Sequence, residues 1–271
     1  MIMKKFLLVL VILGLNLEAG YIKESVEAHK KGDHKRVASI YQKACDEGKS
    51  SACYNLGVLY MGAKGVKTDV KKAMKFYKKS CDANFTSACY NLGLIYERGK
   101  VVKKDLKRAI ELYNKACLKN DGSACNNLGM IYKAKNELKK ATDYFRMSCS
   151  SYDNVGCSNL AFMYANGSGV KKSYKEAIKL YKKACGAGVP MACSNLAYMY
   201  ENAQGTTADT KKAKELYKKA CDKKYARACN NLAILYAKDA GVQNLKKAKK
   251  LFKKSCDLGL KAGCDNFKLF H

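Results

Sequence analysis

Residues 81–89 read Cys81-Asp82-Ala83-Asn84-Phe85-Thr86-Ser87-Ala88-Cys89, two cysteines enclosing seven other residues. The same spacing recurs as Cys45/Cys53, Cys117/Cys125, Cys149/Cys157, Cys185/Cys193, Cys221/Cys229 and Cys256/Cys264, and these seven pairs use all 14 cysteines. Successive first cysteines lie 36, 36, 32, 36, 36 and 35 residues apart. A fixed period of that length marks a repeat array, in which each unit buries its apolar face only against its neighbours. A chain of 271 residues is long enough for two ordinary domains. The period predicts instead one array of about seven helix pairs over residues 20–271, closed by a C-terminal half-repeat.

Outward from each cysteine pair the pattern is helical. From Ser87 to Glu97, Ala88, Leu92 and Tyr96 fall at i, i+4 and i+8, one stripe of a helix. Arg98 to Lys104 reads as a loop containing Gly99, and Asp105 as an N-cap whose carboxylate accepts the free N–H groups of the following turn. The helix after it carries Ala109, Leu112, Tyr113, Ala116 and Cys117 on its inner side. The corresponding caps are Asp69, Ser173, Asp209 and Asn244. Loop glycines (Gly62 and Gly65, Gly167 and Gly169) suit a connection that needs positive φ. Lys133 to Leu138 lacks this loop, which accounts for the 32-residue period while keeping both helices. Before the first pair, Tyr21 to Lys31 forms a helix stopped by Gly32, and Asp33 caps the helix from His34 to Cys45. Lys261 to Phe270 is the closing half-unit. A single proline, Pro190, and no tryptophan complete a helical composition.

The N-terminus decides what the cysteines are for. Met1 to Lys5 is a positive head, Phe6 to Leu15 an apolar run, and Asn16 to Gly20 ends in small residues, so residues 1–19 read as a secretory signal cleaved after Ala19. The run is too short to span a membrane, and no membrane span remains after cleavage. No cysteine sits near the cleavage point, which argues against a lipid anchor. The protein is expected to be secreted or periplasmic, where paired cysteines form disulfides. Zinc is disfavoured: there is no C-x2-C spacing, and His29, His34 and His271 lie outside the pairs. No metal or other cofactor is expected. The first cysteine of each pair ends one helix and the second opens the next, which brings both within the separation a disulfide needs. Each closed loop restricts the unfolded chain by roughly 2–3 kcal/mol in the entropy model. The wide spacing does not tune a redox thiolate.

Fifty-two Lys+Arg against 23 Asp+Glu give a formal charge of +29. In an exported protein this points away from nucleic acid and toward acidic partners: lipid head groups, anionic cell-wall polymers or acidic protein surfaces. The bland alternative is a solvated lysine face that keeps the protein soluble.

Two constellations suggest binding. Asparagine recurs two residues after every second cysteine, as Asn55, Asn91, Asn127, Asn159, Asn195, Asn231 and Asn266. An amide offers a donor and an acceptor, enough to hold a peptide backbone or, equally, to satisfy a neighbouring backbone group. With Leu56 and Tyr60 inward, about 100° per residue puts Tyr54 and Val58 on the opposite side. Their equivalents are Tyr90/Leu94, Asn126/Met130, Ser158/Phe162, Ser194/Tyr198 and Asn230/Ile234. Such a row, with Tyr54, Tyr90 and Tyr198 as its tyrosines, fits a binding surface or packing within the stack.

Ala52-Cys53-Tyr54-Asn55-Leu56-Gly57-Val58-Leu59-Tyr60, with Gly65-Val66 and Lys72-Ala73, resembles the Sel1-like repeat, a relative of the tetratricopeptide repeat. With C-x7-C in each unit and a signal peptide, the chain is similar to the Helicobacter cysteine-rich protein family over essentially residues 21–270. The expected fold is all-α, a right-handed α/α superhelix (solenoid) of disulfide-stapled repeats. The resemblance implies penicillin binding and weak β-lactamase activity, a hydrolase function tied to antibiotic resistance. Residue by residue the catalytic set is unknown. Ser168-Gly169-Val170-Lys171 fits S-x-x-K, yet in a loop and without S-D-N or K-T-G. No active site is visible. The alternative function is a non-catalytic scaffold that binds a peptide, a cell-wall fragment or a host protein.

Overall fold

The computed structural model describes residues 20–62, 66–239 and 241–269. The leader at residues 1–19 lies outside them, as do Gly65 and Phe270. Among the described residues the chain forms fifteen helices and no strand. It is an all-α array of helical hairpins that divides into two compact units, residues 1–124 and 125–271.

The first unit holds α1 (20–30), α2 (His34–Asp46), α3 (Ser50–Tyr60), α4 (Val70–Asp82), α5 (Thr86–Arg98) and α6 (Leu106–Cys117). From α2 on, each helix packs on the next. The second unit takes in most of α7 (Gly122–Ala134), then α8 (Leu138–Ser150), α9 (Asn154–Asn166), α10 (Tyr174–Gly186) and α11 (Pro190–Glu201). It continues through α12 (Thr210–Asp222), α13 (Ala226–Lys238), α14 (Val242–Asp257) and α15 (Lys261–Lys268).

Odd- and even-numbered helices differ in sequence and therefore in role. The even ones are amphipathic. In α4 the buried residues are Ala73, Tyr77, Ser80 and Cys81, and in α6 Ala109, Tyr113, Ala116 and Cys117, one stripe facing inward with lysines outside. The odd helices from α3 to α13 carry at most two charged residues each and bury the run around the second cysteine, such as Ala88, Cys89, Leu92, Gly93 and Ile95 in α5. Large side chains such as Tyr113, Phe145 and Tyr217 are fully buried, each worth on the order of 2–3 kcal/mol of removed apolar surface.

The starts of the even helices follow the caps. The side chains of Asp33, Asp69, Asp105, Ser173 and Asp209 accept hydrogen bonds of 2.8–3.3 Å from the backbone N–H three residues on. Asn244 departs from the expectation. α14 begins at Val242 behind an extended Gly241, so Asn244 lies inside the first turn, where its amide donates to the Asp239 carbonyl. In the short repeat, α7 and α8 are separated by residues 135–137 alone, with Asn136 at φ +62°. α15 packs on α13 and α14, and Phe267 covers Ala233, Ala248 and Phe252.

Six disulfides join consecutive helices: Cys45–Cys53, Cys81–Cys89, Cys149–Cys157, Cys185–Cys193, Cys221–Cys229 and Cys256–Cys264. Their Cα–Cα separations are 4.4–4.8 Å. Cys117 and Cys125 are oxidised as well, and no cysteine among the described residues is free. Each enclosed turn places the third residue after its first cysteine at positive φ. These residues are Gly48, Asn84, Asn120, Tyr152, Gly188, Lys224 and Gly259. The joint is thus one backbone shape written with four residue types.

Candidate functional site

The hairpin packing creates a groove between two odd helices, floored by the tyrosine of the even helix between them. In the first unit the floor is Tyr77, buried to 2% exposure. Its ring lies against the bare backbone of Gly57, where an added Cβ would come within 2.7 Å, and Tyr54 stands over it at 5.8 Å between centroids. The Asn91 amide hydrogen-bonds the hydroxyl. Burial pushes the Tyr77 phenol up to about 12, against the pull of the Asn91 amide and with a smaller upward push from Tyr54. Met61, Val70, Leu94, Ile95 and Val101 wall a space of about 340 Å³, with Arg98 and Lys100 at its edge.

The second unit repeats this arrangement. Tyr181 is the floor, and Asn195 Nδ2 donates to its hydroxyl at 3.2 Å. Burial pushes its phenol up, again against the amide's pull. Phe162, Ala165, Tyr198 and Met199 line a space of about 430 Å³ together with Asn166, Lys172, Tyr174 and Gln204. Met61, Val70, Tyr77, Asn91, Leu94, Ile95 and Lys100 each recur 104 positions later as Ala165, Tyr174, Tyr181, Asn195, Tyr198, Met199 and Gln204. Where glutamate stands at the Met61/Ala165 position, the tyrosine is already engaged. The Tyr113 hydroxyl donates to Glu97 at 2.6 Å and that of Tyr217 to Glu201 at 2.9 Å.

The asparagine row is therefore partly spent on the fold. Asn91, Asn195 and Asn231 turn their amides to Tyr77, Tyr181 and Tyr217. Asn159 donates to Asn126 at 2.7 Å, and Asn266 to Asn230 at 2.9 Å. Asn55 and Asn127 are half-buried on α3 and α7. Asn91 and Asn195 also line the two grooves.

Of the row of tyrosines, Tyr54 and Tyr90 are half-buried wedges against Tyr77 and Tyr113, and Tyr54 also contacts Phe85. Tyr198 is 48% exposed and forms a groove wall. One turn after the wedge, Val58, Met130 and Phe162 reach solvent as Tyr198 does. At the wedge position itself Ser158, Ser194 and Asn230 are buried. Lys172, Gln204, Val101 and Lys100 come from interhelical loops, whose varied sequences carry no signal of a shared wall.

Ser168 sits half-buried in the α9–α10 loop between two left-handed glycines, its carbonyl accepting from Thr142 Oγ1 at 3.0 Å. Among the described residues there is no group of three or more His, Cys, Asp and Glu placed to hold a metal, and no helix long and apolar enough to cross a membrane.

A model of the Sel1 repeat matches residues 50–85, 86–121, 155–189, 190–225 and 226–260. Among solved structures, a protective antigen present in uropathogenic Escherichia coli strains, with an SLR fold, superposes at a TM-score of 0.80 and 27% identity. That match covers 93% of this chain and 56% of the other, so this chain spans little more than half of the relative's length. The Sel1 repeat protein from Oxalobacter formigenes matches at TM-score 0.78 and 24% identity, over 87% and 96% of the two chains. Yeast Tom70, at TM-score 0.50 and 16% identity over 88% and 53%, shares the fold alone. No curated protein matches the sequence.

Proposed function

The chain belongs to the Sel1 repeat family, and from that premise we propose that it is a non-catalytic scaffold holding an extended peptide segment in its inter-hairpin grooves. One observation carries this reading: the same groove recurs residue for residue in both units, while the side chains at its rim change. A constant floor with variable walls is how a repeat protein suits each groove to a different ligand side chain. The first groove suits an aliphatic side chain. The second suits an amide or carboxylate beside an aromatic edge, met by the donors of Lys172, Gln204 and Asn166. The disulfides suit an oxidising compartment, and the leader at residues 1–19 directs the protein to the periplasm or beyond.

The test is selection of peptides from a random display library, followed by titration against variants. Selected sequences should lose about tenfold in affinity to Leu94→Arg, in line with truncation or blockage of an interface anchor. Tyr198→Ala should alter which sequences are chosen. Peptide binding indifferent to both changes would end the proposal.

The resemblance to the Helicobacter cysteine-rich family supplies a second reading, supported by the chemistry of the second groove. A β-lactam presents a carboxylate and amide carbonyls, which Lys172, Gln204 and Asn166 could meet. A chromogenic β-lactam offered to the oxidised protein decides it. No turnover above buffer removes hydrolysis, and turnover lost in Ser168→Ala would restore it with Ser168 as nucleophile.

A further inference from the structure

The two kinds of helix differ in charge as sharply as in packing, and the grooves make no use of that difference. In the second unit α10, α12 and α14 carry four, five and six lysines against one, two and one acidic residues, and no arginine. The odd helices α9 and α11 together carry one charged side chain, Glu201. Every exposed residue of α10 is lysine except Gly186: Lys175, Lys179, Lys182 and Lys183.

These lysines stand in rows. Lys175, Lys211 and Lys246 occupy one position in three successive repeats, and Lys182, Lys218 and Lys253 another; all six are exposed. The second row is partly neutralised along its own helices, Lys218 by Asp222 and Lys253 by Asp257. α10 has Gly186 at that place. Lys175, Lys179, Lys182, Lys211, Lys246 and Lys250 form no ion pair among the described residues. Lys254 reaches Asp222 at 3.8 Å and Lys183 lies 5.9 Å from the Tyr152 ring centroid, so the ends of successive even helices come within one lysine's reach. Rows of unpaired like charge repel one another, and a ligand of opposite charge relieves that repulsion.

We propose that the face made by α10, α12 and α14 is a docking surface for a linear anionic polysaccharide. Repeated lysines at matched positions suit a polymer that presents anions at intervals, and lysine binds each anion as a point charge without the planar fork of arginine. A membrane fits less well. α10 and α12 expose no large apolar side chain among their lysines, and an interfacial helix needs such anchors; Val242 and Leu245 sit at the start of α14 only. Oxidised cysteines suit an oxidising compartment, where polysaccharides are met more than nucleic acids. This surface is independent of the groove reading.

The test is calorimetric titration of the full oxidised chain with a heparin oligosaccharide over a series of salt concentrations. The wild type should bind with an affinity that falls as salt rises, and the oligosaccharide should raise the melting temperature. Replacing Lys175, Lys182, Lys211 and Lys246 with glutamine should weaken binding about tenfold or more and flatten the salt dependence, through loss of released counterions. A control removes the same charge from the N-terminal hairpin: Lys23→Gln, Lys30→Gln, Lys31→Gln and Lys35→Gln. It should change affinity by less than about threefold if the rows, and not net charge, carry binding. Equal loss in both variants would overturn the proposal, as would absence of binding at physiological salt. Equal or tighter binding of single-stranded DNA of matched charge, or of vesicles containing anionic phospholipid, would also overturn it. Circular dichroism of both variants confirms the helical fold, since every substituted residue is exposed.

Discussion

The groove over Tyr77 and the groove over Tyr181 share a floor and differ in how that floor is held. In the first, the ring of Tyr54 lies 5.8 Å from that of Tyr77, and Gly57, one turn along the same helix, lets the Tyr77 ring press against the backbone. In the second, Ser158 replaces the upper tyrosine and Ala161 the glycine. Ser158 is fully buried with its hydroxyl unpartnered, and the space above the floor is larger, about 430 Å³ against 340 Å³. Tyr90 with Gly93 follows the first pattern and Ser194 with Ala197 the second. Gly57, Gly93 and Gly129 each let the ring of the following even helix press against bare backbone, whether the upper position holds tyrosine, as at Tyr54 and Tyr90, or asparagine, as at Asn126. Alanine takes the glycine's place where the upper residue is serine, at Ser158 with Ala161 and Ser194 with Ala197.

The largest expected effect tests whether both grooves depend on the joint beside them. Cys81–Cys89 ties α4 to α5, and Cys185–Cys193 ties α10 to α11, the helices that carry floor and wall in each case. Replacing either pair with serine should cost about 2–5 kcal/mol, read as lost hydrogen-exchange protection in the affected hairpin. If protection is unchanged, the bridge is dispensable and packing alone holds that groove.

The second prediction breaks the comparison directly. Gly57→Ala should destabilise the first unit by about 1–3 kcal/mol, because an added Cβ would come within 2.7 Å of the buried Tyr77 ring and overpacking outweighs the gain in helix propensity. Ala161→Gly in the second unit should cost only about 1 kcal/mol, from propensity and a lost methyl contact. Urea melts of the two variants check this. Equal costs would show that the ring positions do not differ.

The third concerns alkali. An unfolded tyrosine ionises near pH 10, while burial raises Tyr77 to about 12. The folded form holds its proton more tightly, so this contribution to stability is complete below pH 10 and is lost as the pH rises from about 10 through 12. Burial raises Tyr181 and Tyr217 too, and Glu201 beside Tyr217 adds to the shift. Absorbance titration should show tyrosines that resist ionisation at pH 11 and then titrate as the fold opens. Ionisation of every tyrosine near pH 10 without unfolding would contradict the burial of both floors.

Much of this architecture is legible in residue identity and spacing. The cysteine pairs, the carboxylate caps at Asp69, Asp105 and Asp209, and the apolar stripes are each chemistry that one residue type performs locally. The groove walls are not legible in that way. Lys172 and Gln204, or Lys100 and Val101, stand in loops, and only the folded path of those loops brings them over a tyrosine. Geometry at 100° per residue put Tyr54 and Val58 on one side, yet a neighbouring hairpin packs over the first and leaves the second exposed. The asparagine row was visible as a repeat, but its engagement with the buried tyrosine hydroxyls depends on contact between different helices. The left-handed turn position escaped composition entirely, because Tyr152 and Lys224 occupy it as Gly48 and Gly188 do.

That turn position gives the smallest effect and the finest contrast between the two grooves. In the α4–α5 joint it is Asn84 at φ +64°, and in the α10–α11 joint Gly188 at φ +86°. Asparagine tolerates the left-handed region because its short amide bonds locally, whereas a plain Cβ there crowds the following carbonyl. Asn84→Gly should therefore shift the first unit's stability by no more than a few tenths of a kcal/mol. Gly188→Ala should destabilise the second by about 1 kcal/mol, although an added Cβ would meet nothing nearer than the Lys223 ammonium at 3.5 Å. The cost would come from backbone conformation, with no clash involved. Hydrogen exchange at the turn amides separates the two variants. An unchanged Gly188→Ala protein would mean that the disulfide does not hold the turn in the left-handed form, and that the joint shared by all repeats is looser in the second unit than in the first.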